Sequence, residues 1–114
     1  GLHLVGNNLE GNIPYGLGNC QNLNYVAVQT NNLTGTIPKD LFEGSPHLVE
    51  LGLGDNRLEG RLPLEVGQQK NLVLLNVRNN KLSGEIPSAI GGCSSLMHLY
   101  MDGNMFQGHI LVSF

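Results

Sequence analysis

Apolar residues recur along the chain in short alternating pairs set at nearly constant distance. Leu2/Leu4, Val26/Val28, Leu51/Leu53, Leu75/Val77 and Leu99/Met101 each bracket one variable residue. Alternation with a period of two over so short a span predicts a β-strand with one buried face. A second motif follows each pair: NNLEGNIP from Asn7, NNLTGTIP from Asn31, DNRLEGRLP from Asp55, NNKLSGEIP from Asn79 and GNMFQGHIL from Gly103. Aligned on Asn7, Asn31, Asn56, Asn80 and Asn104, the spacings are 24, 25, 24 and 24 residues. The one longer spacing comes from an extra residue between Leu41 and Leu48. A fixed period of this length is the signature of a repeat protein.

One strand per unit, always running the same way, implies a parallel sheet along a solenoid. The aligned asparagine stands where each strand ends. Its amide both donates and accepts, so it can satisfy backbone groups that the turn leaves unpaired. Stacked copies at Asn7, Asn31, Asn56, Asn80 and Asn104 predict a structural ladder. The Leu/Phe-x-Gly-x-Ile/Leu segment then supplies two more inward residues around a glycine that allows a close turn. Proline fixes φ at the start of the outer connection. Stretches such as Leu17 to Leu23 are expected to return to the next strand through a 3₁₀ turn or a short helix.

This pattern resembles the plant-specific leucine-rich repeat, LxxLxxLxLxxNxLxGxIPxxLGxL, over essentially the whole chain, with GxIP as the element that marks the subclass. Leu64-Glu65-Val66-Gly67, the run from Asn80 to Ser88, Cys93-Ser94-Ser95-Leu96 and the run from Asn104 to Gly108 are similar to ectodomains of plant receptor-like serine/threonine kinases of the immune-receptor group. The resemblance implies an α/β repeat solenoid. In it a right-handed superhelix carries a concave parallel sheet, a short second sheet and a 3₁₀ or short-helical convex side. It also implies a peptide or protein ligand, an LRR co-receptor kinase as a further partner, and a place on the extracellular side of the plasma membrane. Membrane attachment would come only through a parent transmembrane helix that is not in this chain. Leu111 stands where the fifth unit should have proline, which puts the turn there in doubt. Residues 1–114 read as one segment of about four and a half repeats without capping units, although terminal repeats normally present a polar outer face. The expectation is therefore a fragment of a longer ectodomain, or a truncated product, marginal when isolated because both ends expose repeat interfaces.

Composition narrows the function classes. With 13% charged residues and a net charge of −3, the chain lacks the clustered basic surface that a nucleic-acid interface needs. It has no apolar run long enough to span a bilayer and no recognisable signal peptide. The histidines His3, His47, His98 and His109 make no metal-spaced pair, and no phosphate loop or nucleophile elbow occurs. No cofactor and no metal are expected, and this segment is read as non-enzymatic. Any phosphoryl transfer would belong to a parent receptor kinase. Carboxylates such as Glu10 and Glu59 fall at outward positions, where solvated surface is the ordinary role. Cys20 and Cys93 occupy equivalent positions three repeats apart. Parallel strands are about 4.8 Å apart, so the pair is separated by roughly 15 Å. That exceeds the ~7 Å a disulfide tolerates, and each is expected to be a small buried residue. Asn32-Leu33-Thr34 is a glycosylation sequon, with Asn31 predicted to be buried and Asn32 to point outward.

Binding on such a scaffold belongs to the outward strand positions, and register locates them. Between the paired apolar residues lie His3, Ala27, Gly52, Asn76 and Tyr100; after them come Val5, Gln29, Gly54, Arg78 and Asp102; before them come Tyr25, Glu50, Leu74 and His98. Gly52 and Gly54 are expected to leave a shallow bare spot. Around it stand the candidate ligand-binding residues Tyr25, Gln29, Glu50, Arg78, His98, Tyr100 and Asp102, with Arg78 and Asp102 close enough to pair. Two readings follow for the whole: a recognition module of a receptor-like kinase in immune or developmental signalling, or a secreted, kinase-free inhibitor of cell-wall hydrolases of the polygalacturonase-inhibitor kind. A non-functional truncated product is the third.

Overall fold

The computed structural model describes residues 1–14, 17, 19 and 22–107. The predicted strands form one parallel sheet from β1 (Leu2–His3), β3 (Tyr25–Ala27), β5 (Glu50–Gly52), β7 (Leu74–Asn76) and β9 (His98–Tyr100), in that order. Leu2, Val26, Leu51, Leu75 and Leu99 lie side by side in register. Shorter strands make the second layer: β2 (Glu10–Asn12) pairs with β4 (Asn32–Thr34), and β6 (Glu59–Gly60) with β8 (Lys81–Glu85) and β10 (Met105–Gln107). A Thr36–Glu59 bridge joins the two groups.

Between these layers the repeat's leucines stack into columns. Leu51, Leu75, Leu58, Leu82, Leu48 and Leu72 have no exposed surface. Each such burial is worth about 1.5–3 kcal/mol, so the columns are the dominant favourable contribution. The outer connections close the core with Leu41, Val66 and Ile90. Leu64–Gln68 and Ser88–Gly92 are 3₁₀ helices, whereas the longer unit uses α1 (Lys39–Glu43). There the Gly44 amide donates to the Asp40 carbonyl and the Ser45 amide to that of Phe42. The extra residue is thus absorbed by widening a 3₁₀ turn into an α-turn. Of the stretch Leu17 to Leu23, Gly18, Cys20 and Gln21 lie outside the described residues, as does Leu111.

The asparagines join successive units, always backwards. Asn56 donates through Nδ2 to the carbonyls of Leu53 and Gly54 in its own unit and to Val28 in the unit before, and its Oδ1 accepts from the Leu33 amide. Asn80 repeats this with Val77, Arg78, Leu53 and Leu58. Asn104 does so with Met101, Asp102, Val77 and Leu82. Asn31 accepts from two amides, those of Asn7 and Leu9. Asn7 has no unit before it in this chain. It is exposed, and among the described residues its side chain reaches only the Val5 carbonyl.

The residue before each rung has a left-handed backbone, with φ of 70° at Gly6, 61° at Thr30, 55° at Asp55, 55° at Asn79 and 72° at Gly103. Thr30 is the one β-branched member of this column, where a Cβ of that kind is strained. A second set of backward bonds lies under the outer connections: Gln69 Nε2 donates to the Phe42 carbonyl (2.7 Å) and the Cys93 thiol to that of Val66 (3.1 Å).

Candidate functional site

Because side chains alternate across a strand, the outer face of the main sheet carries three columns of side chains. Tyr25, Glu50, Leu74 and His98 are register partners, as are His3, Ala27, Gly52, Asn76 and Tyr100. Val5, Gln29, Gly54, Arg78 and Asp102 follow the strands. Tyr25 and Tyr100 are 37% and 39% exposed, although both rings are large enough to be buried in an ordinary core.

Four of the predicted residues come together at the C-terminal side of this face. The rings of His98 and Tyr100 lie parallel, 2° apart in plane, with centroids at 6.5 Å. The Arg78 guanidinium carbon stands 5.8 Å from the Tyr100 centroid, within cation–π range. Arg78 also pairs with Asp102 at 2.9 Å, the one ion pair among the described residues. The cluster is an exposed, flat aromatic shelf with a fixed cation at its edge.

Tyr25, Gln29 and Glu50 stand apart from that cluster, on the second and third strand units. The bare spot expected between them is not bare. Gly52 and Gly54 are buried, because neighbours lie over them. A Cβ on Gly52 would stand 2.7 Å from Gln29 Oε1, and one on Gly54 would stand 2.9 Å from Asn76 Oδ1. Gln29 Oε1 has no hydrogen-bond partner among the described residues. Asn76 is a residue that sequence reasoning passed over: its Oδ1 also accepts from the Arg78 amide at 3.1 Å, holding the backbone that carries the guanidinium. The available signal was the pair of glycines in the adjacent unit, which vacate the space Asn76 uses.

Asn31 is 7% exposed, whereas Asn32 at the head of β4 is half-buried rather than fully outward, and Thr34 is exposed. Burial pushes the Cys93 thiol above its ordinary pKa, against a smaller downward pull from Lys70. That favours the inert thiol over the thiolate. Among the described residues no helix is long and apolar enough to cross a membrane, and no cluster of three or more His, Cys, Asp or Glu could hold a metal.

A family model described as Leucine Rich Repeat matches residues 1–20 and 71–93. Among solved structures, the chain is similar to the BIR3–SERK2 complex from Arabidopsis thaliana, with 36% identity and a TM-score of 0.91 over 94% of this chain and 57% of that one. It is similar to the Arabidopsis receptor kinase HAESA, solved in complex with the peptide hormone IDA and the co-receptor SERK1. There identity is 35% and the TM-score 0.89, over 92% of this chain and 17% of that one. A plant ice-binding protein also matches, with 26% identity and a TM-score of 0.74 over 85% of this chain and 31% of that one. The chain thus spans just over half the length of the first of these and about a sixth of the second. No curated protein sequence matches it.

Proposed function

From the premise that this chain is a leucine-rich repeat solenoid, similar to plant receptor-kinase ectodomains, we propose that it is a ligand-recognition segment of such an ectodomain. Its parent would be a receptor serine/threonine kinase in immune or developmental signalling, with the segment on the extracellular side of the plasma membrane. Its ligand is a peptide or protein engaged on the outer face of the main sheet, with an LRR co-receptor kinase as second partner. The observation that carries this reading is the exposed shelf of His98 and Tyr100 with Arg78 over the ring. Tyr and Arg are the residue types that anchor partners, and an extended sheet face suits an extended peptide. Chemistry is absent from the proposal: the segment binds, and phosphoryl transfer belongs to a kinase domain elsewhere in the parent.

The test is selection of random nonapeptides displayed against the chain. Binders should lose roughly tenfold or more in affinity against Arg78→Ala and against Tyr100→Ala, the loss typical of an anchoring residue. Unchanged affinity in both would displace the site. A transmembrane helix and kinase motifs downstream in the reading frame separate this reading from a kinase-free hydrolase inhibitor, for which an early stop would speak.

Asn32 is proposed as an N-glycan acceptor, since the sequon strand β4 lies in the second sheet, away from the ligand face. On protein secreted from plant cells, Thr34→Ala should remove one glycan's mass; an unchanged mass would mean that the site is unoccupied.

A further inference from the structure

The charges on the outer face of the main sheet are unequally spent. Its one cation among the described residues, Arg78, is already bound to Asp102 at 2.9 Å and lies over Tyr100. Glu50 is exposed and has no cationic partner among the described residues. At the edge of the same face, the Asp55 carboxylate accepts, among the described residues, only from the neutral amide of Asn79. The charge left uncompensated on this face is therefore negative, and Glu50 stands at its middle.

The surroundings of Glu50 are specific. Register sets it between Tyr25 on one side and Leu74 on the other, each one strand spacing away, about 4.8 Å. Two residues along its own strand, Gly52 carries the overlying Gln29 amide, whose Oε1 is a hydrogen-bond acceptor without a donor among the described residues. Carboxylate, unpaired amide oxygen, exposed aromatic ring and aliphatic surface thus meet on adjacent strands, and the Glu50 carboxylate and Gln29 Oε1 both call for a donor.

We infer that the ligand of this face carries a cationic side chain, an arginine in first place, seated on Glu50 between Tyr25 and Leu74. An arginine's planar fork can engage the carboxylate with two donors and still offer a third to Gln29 Oε1 once that amide turns outward. Its stem covers Leu74, and its guanidinium stacks beside Tyr25. A lysine serves the carboxylate as a point charge but leaves the amide oxygen unmet. An anionic segment is disfavoured by Glu50 and Asp55 together. This assignment rests on the reading that the face binds an extended peptide, and it names the chemistry of that peptide.

The experiment uses the same displayed nonapeptide library with the full chain and three variants, Glu50→Gln, Arg78→Ala and Tyr100→Ala. Glu50 is exposed, so Glu50→Gln should keep the wild-type melting temperature. Selected peptides should share an arginine, and Glu50→Gln should weaken them by roughly tenfold, as for a close interfacial charge pair. Replacing that arginine by citrulline should cost the same factor, and the two changes together should cost little more than either alone. If binders are neutral or acidic, ignore Glu50→Gln and weaken only with Arg78→Ala or Tyr100→Ala, the cationic ligand is wrong and the peptide-binding face stands. If binders ignore all three variants, or the library yields none, both readings fall.

Discussion

The third and fourth repeats and the first have nearly the same sequence pattern and very different surroundings. In the third and fourth, Leu53 and Val77 are enclosed, at 1% and 0% exposure, and Asn56 and Asn80 are each 8% exposed with hydrogen bonds into two units. In the first, Leu4 is 36% exposed, the Asn7 side chain bonds only within its own unit among the described residues, and a cavity of about 230 Å³ lies among Leu2, Leu4, Leu9, Ile13, Val26 and Val28. The same residue at the same position of the motif therefore contributes according to its neighbours. Stability in such an array is a sum over interfaces rather than over residues.

That contrast can be broken by substitution, read by urea denaturation of the full chain. Leu75→Ala should cost about 3–5 kcal/mol, as for fully enclosed leucines, while Leu2→Ala, half-buried beside the cavity, should cost less than about 1.5 kcal/mol. Equal losses would refute the difference in packing. Asn80→Ala leaves the buried Leu58 amide without an acceptor, whereas the carbonyls of Leu53, Val77 and Arg78 keep the Asn56 side chain, the Asn104 side chain and the Asp55 amide. It should cost about 1–3 kcal/mol, the desolvation penalty of one orphaned buried donor, against no more than about 0.5 kcal/mol for Asn7→Ala. Thr30→Gly should go the other way. Relieving a β-branched residue at φ 61° is expected to stabilise by roughly 1 kcal/mol, and a loss would show that the Thr30 side chain matters more than its backbone. The smallest effect is Asp102→Asn. Its pair with Arg78 is exposed, 44% and 62% at the two side chains, so stability should change by at most about 0.5 kcal/mol.

The legible parts of this molecule are those dictated by period. Strand positions, the inward leucines and the turn glycines follow from register alone, and so does the closeness of Arg78 to Asp102. What stayed hidden depends on side-chain direction between units. Gln29 and Asn76 fill the space above Gly52 and Gly54, a choice made by rotamers across strands that no single-unit pattern encodes. Gln69 went unremarked although it shares the column of Cys93, and their bonds back to Phe42 and Val66 depend on reach, which a shorter Ser45 lacks: its hydroxyl finds no partner among the described residues. The change from 3₁₀ to α in the longer unit was foreshadowed by its extra residue, but where the slack would be absorbed was not.

The backward reach of the asparagines gives the solenoid a polarity. Each unit brings the side chain that seals the carbonyls and amide of the unit before it, and leaves its own open groups to the unit that follows. The joint is thus carried whole within one period of the gene. A tandem duplication of 24 codons supplies both a new link and the means of fastening it, so an array of this type can change length without reworking its existing seams.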